Sequence, residues 1–185
     1  ALLPDKTYDE HGVWDGSMAV LEGVPHILYS CLDSGGYNRI CVARAADPKD
    51  KYLRDWVKLD ANPVIKTPPP GGNQFDFRDP AAFEFNSTIM IAVASSIGTG
   101  PSGGSGGNPD RNGSVVSYAA QTGSNLTDWR YSGLLFTSKQ FGSAVLECPE
   151  FFVLGNHWVL RFQPTCHDMY LQGSFGAGEA QFRPI

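Results

Sequence analysis

The chain has 185 residues, of which 42% are hydrophobic and 18% are charged, and its formal net charge is −5. This composition is typical of a folded protein with a sizeable core, and it excludes disorder over most of the chain. The acidic balance gives no attraction for nucleic acid or an anionic membrane, and no apolar run reaches the roughly 20 residues of a membrane span.

The first predicted unit has strands at 17–21, 26–31 and 39–44, followed by a short strand around Trp56. Cys31 and Cys41 lie on consecutive strands of this unit, where either a cross-strand disulfide or two buried thiols would fit. The four cysteines form no CxxC pair. We therefore expect no metal site and no other cofactor.

Prolines and glycines between 62 and 72 interrupt any ladder, so this segment crosses to a second unit. Strands are predicted at 80–85, 88–95, 114–120 and 131–136. The strand at 88–95 is apolar on both faces, which is typical of a sheet packed between neighbours. The glycine-rich stretch at 98–113 lacks the Gly-Lys-Ser/Thr ending of a phosphate-binding loop and is interpreted as a flexible surface loop.

A third unit opens at Glu147, turns at Gly155-Asn156 and continues through 157–163 and 169–171. Asp128-Trp129 precedes the outer strand of the second unit as Asp55-Trp56 does in the first. This echo supports a repeated structural unit.

Aligning Ser17, Pro80 and Pro149 gives repeat spacings of 63 and 69 residues, with unit starts near 14, 77 and 146. Such long spacings favour four-stranded sheets in series, as in the blades of an all-β propeller. The first strand of a blade is the innermost. Asp15, Asp79 and Glu147 are therefore expected at one structural point of each blade, facing a shared funnel.

Residues 1–185 are thus interpreted as a partial propeller of about two to three blades. Closed propellers need roughly four to eight blades. We expect another chain or segment to supply the remainder.

Two acids at adjacent blade entries suit glycoside cleavage, in which one carboxyl protonates the leaving oxygen and the other stabilises an oxocarbenium-like transition state. Arg78 would keep Asp79 ionised, and the apolar neighbours of Glu147 would favour its protonated form. The alternative is that these acids only cap turns at strand ends.

The ordered set of short motifs resembles glycoside hydrolase family 32, which comprises invertases, inulinases and fructan exohydrolases. The motifs are Gly12-Val13-Trp14-Asp15-Gly16-Ser17, Asp55-Trp56-Val57-Lys58, Asn62-Pro63-Val64, Phe77-Arg78-Asp79-Pro80 and Glu147-Cys148-Pro149. The resemblance implies a five-bladed catalytic propeller. It also implies a retaining mechanism through a fructosyl-enzyme intermediate on an aspartate.

By this resemblance Glu147 is the general acid/base and Asp79 is the transition-state stabiliser, supported by Arg78. Trp14 and Cys148 would line the sugar subsite. The family's nucleophile belongs to an Asn-Asp-Pro-Asn-Gly motif, which this sequence lacks.

Asp15 stands where the family usually has Ser. It either disfavours ionisation of neighbouring acids or contacts the substrate beyond fructose, or it only caps the turn before Gly16.

We therefore expect a β-fructofuranosidase-type hydrolase acting on sucrose or fructans, with a non-catalytic sugar-binding or structural propeller subunit as the alternative. The sequence leaves open the sugar, the linkage and the choice between hydrolysis and fructosyl transfer. Sequons at Asn86, Asn112 and Asn125, together with the cysteines, favour a secreted or vacuolar glycoprotein.

Overall fold

A computed structural model describes residues 2–101, 108–140, 145–164, 167–176 and 181–185. These residues form an all-β protein of three four-stranded antiparallel sheets. A short 3₁₀ helix, η1 (Gln74–Asp76), precedes the second sheet. Within the described ranges, no helix has the length and apolarity needed to cross a membrane.

The first sheet contains the strands β1 (Gly12–Leu21), β2 (Val24–Leu32), β3 (Asn38–Ala45) and β4 (Trp56–Lys58), paired in sequence order. A disulfide joins Cys31 of β2 to Cys41 of β3, which resolves the open choice in favour of the cross-strand bridge. Both cysteines are fully buried, beneath an N-terminal segment that packs on this sheet.

The second sheet contains β5 (Arg78–Phe85), β6 (Thr88–Gly98), β7 (Arg111–Ala120) and β8 (Trp129–Ser138), again in sequence order. β6 is buried on both faces over residues 90–96, as its unbroken apolar run predicts. The glycine-rich loop expected at 98–113 is shorter at both ends, because Gly98 ends β6 and residues 111–113 begin β7. Its central residues 102–107 lie outside the described residues.

The third sheet contains β9 (Glu147–Leu154), β10 (His157–Gln163), β11 (Met169–Ser174) and the two-residue β12 (Arg183–Pro184). Its strands are also paired in sequence order, with β9 at one edge and β12 at the other. The three sheets therefore repeat one connectivity, as the internal repeat predicts.

The first strands of the three sheets lie side by side, with β1 against β5 and β5 against β9. One apolar core fills the space between the first and second sheets and includes Leu28, Val42, Ile91 and Val116. A second core, rich in aromatic side chains, lies between the second and third sheets. The sheets are therefore arranged as successive propeller blades with β1, β5 and β9 innermost.

The outer strands carry a second repeat at the side-chain level. Trp56 donates its indole N–H to the carbonyl of Leu53 over 2.8 Å, and Trp129 donates to the carbonyl of Leu126 over 2.9 Å. Both accepting leucines have left-handed backbones. The Asp-Trp echo of the sequence thus reflects one local structure used twice.

The two end sheets present apolar side chains to solvent. Met18 and Val20 of β1 are 53% and 60% exposed, and Phe152 and Leu154 of β9 are 41% and 62% exposed. Exposed apolar side chains grouped on one strand in this way are unusual on the solvent-facing surface of a complete domain.

Candidate active site

Each of the three innermost strands carries a β-bulge near its start. The register slips by one residue between Val13 and Gly16 of β1, between Arg78 and Ala81 of β5, and between Glu147 and Glu150 of β9. A bulge bends the strand and redirects its side chains, and it often lies beside a functional site. Here the bulges turn polar side chains into the space shared by the three strands.

The three acids do not occupy one structural point, so that part of the sequence interpretation is wrong. Glu147 is the last paired residue before its bulge, Asp79 is the first residue within its bulge, and Asp15 is the second. Pro80 and Pro149 are each the second residue of their bulge, whereas the second bulge residue of β1 is Asp15, two residues before Ser17. The alignment on Ser17, Pro80 and Pro149 therefore misses this offset.

The convergence itself is present. One pocket of about 450 Å³ is lined by Val13, Trp14, Asp15, Arg78, Asp79, Glu147, Cys148 and Gln163. All six residues predicted for catalysis or substrate binding are in this set. The sequence motifs do not indicate Gln163 as a site residue. This polar residue ends β10, the strand that follows β9, and it pairs with Glu147 in the β-ladder.

Asp79 is held by its backbone and by its side chain. Its φ of 58° is left-handed, which is uncommon for a residue with a Cβ atom. Its N–H donates to Ser30 Oγ over 2.7 Å, and its Oδ2 accepts from the Cys148 N–H over 3.0 Å. A bond to the first sheet therefore holds the Asp79 backbone, and a bond from the third sheet holds its carboxylate.

Burial raises the pKa of Asp79 above its ordinary value, and the carboxylates of Asp15 and Glu147 raise it further. The Cys148 N–H and the Arg78 guanidinium, 3.9 Å from Oδ2, act in the opposite direction. Arg78 thus favours the ionised form of Asp79, as expected, but desolvation has the larger effect and the net shift of the pKa is upward.

Glu147 is not in the apolar setting expected from its sequence neighbours. Arg78 Nη2 donates to Glu147 Oε1, while Arg78 Nη1 donates to the carbonyl of Phe75 over 3.0 Å. The Glu147 side chain keeps 31% of its surface exposed. The acid/base candidate is thus an open, ion-paired carboxylate beside the buried carboxylate of Asp79.

Asp15 is exposed and lies against Cys148, whose Sγ is 3.9 Å from Asp15 Oδ2 and 3.8 Å from Asp79 Oδ2. Its carboxylate faces the pocket, which favours an effect on neighbouring acids over a turn cap. Burial and the surrounding carboxylates raise the pKa of the Cys148 thiol to about 12.

Asp15, Asp79 and Cys148 place one donor atom each within 4.8 Å of one another, an arrangement that could hold a metal ion. Metals bind the thiolate, so a metal here would have to displace the proton of the Cys148 thiol, whose pKa burial raises.

The predicted glycosylation sites differ in their surroundings. Asn86 and Asn125 are exposed in turns, whereas Asn112 lies inside β7 with its Oδ1 atom buried. Asn112 follows the turn at Pro109-Asp110, but its place within the β7 ladder makes it the least accessible of the three.

The sequence profile described as the glycosyl hydrolases family 32 N-terminal domain matches residues 1–184. The chain belongs to glycoside hydrolase family 32. The motifs at 12–17, 77–80 and 147–149 lie within the matched residues. Of these motifs, the pocket is lined by Val13, Trp14, Asp15, Arg78, Asp79, Glu147 and Cys148.

Three similar proteins illustrate the family. A 6(G)-fructosyltransferase from Asparagus officinalis is 45% identical over 91 residues, which cover 48% of this chain and 15% of that protein. A vacuolar acid beta-fructofuranosidase 1 from a Rosa hybrid cultivar is 43% identical over 81 residues, covering 43% of this chain and 14% of that protein. The crystal structure of fructan 1-exohydrolase IIa from Cichorium intybus, solved as a glutamate-to-glutamine variant with 1-kestose, superimposes with a TM-score of 0.81 at 26% identity.

That superposition covers 100% of this chain and 34% of the exohydrolase. The chain therefore spans about a third of a solved relative, and its three sheets correspond to blades of that relative's propeller.

Proposed function

We propose that this chain carries the acid/base and the transition-state stabiliser of a retaining β-fructofuranosidase acting on sucrose or a fructan. The observation that carries the proposal is the placement of Asp79 and Glu147 from adjacent sheets in one pocket, with Arg78 beside both. Family membership supports the substrate class.

In this proposal Glu147 protonates the glycosidic oxygen as the fructosyl bond breaks, and it later activates the water that releases fructose. Its partial exposure leaves it accessible to a leaving group. Its contact with Arg78 keeps the carboxyl oriented. The positive guanidinium can stabilise the negative charge of Glu147 after it has donated its proton.

Asp79 would stabilise positive charge as it develops at the anomeric carbon. A buried and prefixed carboxylate suits this role, because preorganised charges act strongly where water is excluded. The raised pKa has a consequence for pH dependence. Protonation of Asp79 on acidification would remove the stabilising charge and limit activity at low pH.

A retaining mechanism needs a nucleophilic carboxylate about 5–5.5 Å from the acid/base. We propose that further blades, from another segment of the same precursor or from a partner chain, supply this aspartate. The apolar faces of β1 and β9 support this part of the proposal, since additional sheets would cover them.

The pocket combines three carboxyl groups with one guanidinium, so it favours a neutral sugar over an anionic one. Fructosyl transfer is the second candidate, favoured by the similarity to the Asparagus fructosyltransferase. In that case a sugar hydroxyl would replace water at the step that Glu147 activates. We further propose a secretory or vacuolar location, supported by the disulfide and by the exposed sequons at Asn86 and Asn125.

The test is Glu147→Gln in the complete protein, meaning this chain together with its remaining blades. We expect the sucrose cleavage rate to fall by about 10²- to 10⁴-fold, with sugar binding measured by calorimetry largely retained, because only the proton donor is removed. Glu150→Gln is the matched control, since Glu150 lies three residues further along β9 and is exposed. An unchanged rate for Glu147→Gln would refute the assignment.

A further inference from the structure

Ser30 of β2 is a fully buried hydroxyl that links the first sheet to the second. Its Oγ–H donates to the backbone carbonyl of Asp15 over 3.1 Å, and its Oγ accepts from the backbone N–H of Asp79 over 2.7 Å. One side chain outside the pocket lining thus bonds to the backbones of two residues that line the pocket.

The position of Ser30 in the β-ladder differs in side-chain type from the equivalent positions of the other two sheets. Ser30 is the single β2 residue opposite the two bulge residues Trp14 and Asp15. The corresponding positions opposite the bulges of the other two sheets are Val93 and Phe162, both apolar and fully buried. Among the bulges of the three innermost strands β1, β5 and β9, therefore, only that of the first sheet faces a hydroxyl group.

The bulge of the second sheet provides the N–H donor from which Ser30 accepts. Pro80 follows Asp79 and has no N–H, so the Asp79 N–H is the donor that the bulge itself offers. This N–H is buried and bonds to Ser30 across the sheet boundary. A buried N–H without an acceptor is costly, which makes the Ser30 contact a strong constraint on the Asp79 backbone.

We propose that Ser30 is a positioning residue, which holds Asp79 in its left-handed conformation and so aims the Asp79 carboxylate into the pocket. The inference rests on the proposed function of Asp79 as transition-state stabiliser. Ser30 and the Cys148 N–H would act as two fixed points, one on the backbone and one on the carboxylate. Without the first point the carboxylate can rotate away from the reacting carbon.

The experiment compares Ser30→Ala with Ser30→Thr, which restores a hydroxyl, in the complete protein. The matched control is Ser17→Ala, because Ser17 Oγ accepts from the Ala82 N–H over 2.7 Å, a bond of the same kind between the same two sheets. The measurements are kcat and KM for sucrose, the Tm, and crystal structures of the wild type and of Ser30→Ala.

We expect Ser30→Ala to lower kcat on the order of 10- to 100-fold with a smaller change in KM, since small displacements of reacting groups have effects of this size. Ser30→Thr should recover most of the loss. Ser17→Ala should lower Tm by a similar amount while leaving kcat near the wild-type value. In the Ser30→Ala crystal structure, Asp79 should leave the left-handed region or lose its bond to the Cys148 N–H.

The inference is overturned if Ser30→Ala and Ser17→Ala have similar kcat values at a similar Tm. It is also overturned if Asp79 keeps its conformation and its bond to Cys148 in the Ser30→Ala crystal structure. If Ser30→Ala does not fold, Ser30→Cys gives the same comparison with a longer and weaker contact. A wild type that cleaves neither sucrose nor 1-kestose would instead refute the proposed function, and the crystal structures would then decide on Ser30 alone.

Discussion

The backbone N–H of Cys148 donates to Asp79 Oδ2 over 3.0 Å, joining the third sheet to the carboxylate of the second. Cys148 adopts a left-handed φ of 45°, and Asp79 adopts one of 58°. Two residues in sparsely populated conformations thus meet at the centre of the pocket. Backbone strain of this kind persists only where the surrounding structure imposes it, and it clusters at functional sites.

Arg78→Ala should lower cleavage by about 10- to 100-fold and move the acidic limb of the kcat/KM profile to higher pH. The guanidinium lowers the pKa of Asp79, so its removal lets burial raise that pKa further. Arg39→Ala, which removes a comparable ion pair with Asp33 in the first sheet, is the control and should leave the profile unmoved. An acidic limb shifted to lower pH would contradict the assignment.

Asp79→Asn should lower kcat by about 10²- to 10³-fold and yet stabilise the fold at neutral pH. Because the pKa of Asp79 is raised on folding, the folded state binds this proton more tightly than the unfolded state does. The stability that protonated Asp79 contributes is full below the ordinary pKa of 3.8 and is lost as the pH rises through the raised pKa. The neutral amide avoids that loss. Urea unfolding should give a gain over the wild type that is present at pH 7 and disappears toward pH 3, and a gain that is largest in acid would contradict this.

Asp15→Ser should make Cys148 more reactive. The Asp15 carboxylate helps raise the pKa of the thiol to about 12, so its removal lowers that pKa and increases the thiolate fraction at a given pH. The rate of iodoacetamide alkylation at Cys148, followed by peptide mass spectrometry at pH 9, should rise. Asp60→Ser, an exposed change outside the pocket, should leave the rate unchanged.

Removal of the Cys31–Cys41 disulfide by a double alanine substitution should lower the free energy of unfolding by about 2–3 kcal/mol. The bridge closes a short loop, with a sequence separation of 10. A disulfide across a loop of this size stabilises the fold by an amount of this order, mainly because it restricts the unfolded chain. Urea unfolding at constant pH measures the difference. Peptide mapping without reduction should recover the two cysteines as one linked species, and free thiols there would contradict the pairing.

Glycans are expected at Asn86 and Asn125 but not at Asn112. The first two side chains are exposed in turns, whereas Asn112 belongs to a central strand of the second sheet and precedes the buried Ser114. Peptide mapping of native material before and after deglycosylation would distinguish the three. Modification at Asn112 alone would contradict this reading of accessibility.

Much of the fold follows from the sequence because strand alternation and turn residues are local signals. Strands β5 and β6 are predicted within two or three residues of their limits, and the Trp56 and Trp129 echo marks equivalent positions correctly. The end of β6 was missed because Gly98 resembles loop sequence. Its backbone is held there by ladder pairing with Arg111, a contact that sequence alone does not show.

The site was less predictable, and the reason is the bulges. A one-residue slip changes which side chains face the pocket, and no local pattern marks its position within Trp14-Asp15-Gly16. The balance of burial against Arg78 at Asp79, and the hydroxyl of Ser30 between two sheets, depend on packing between blades. Gln163 enters the pocket only through its pairing with Glu147.

The pocket joins residues that are distant in the chain, with a sequence separation of 133 between Asp15 and Cys148. Since nascent chains fold from the N-terminus as they leave the ribosome, the first two sheets can dock, and Ser30 can bind the Asp79 backbone, before β9 has been synthesised. At that stage the Asp79 carboxylate lacks the Cys148 N–H, and Arg78 has not met Glu147. We therefore expect the reactive geometry to arise only after β9 has been synthesised, when the third sheet packs onto the two sheets already in place.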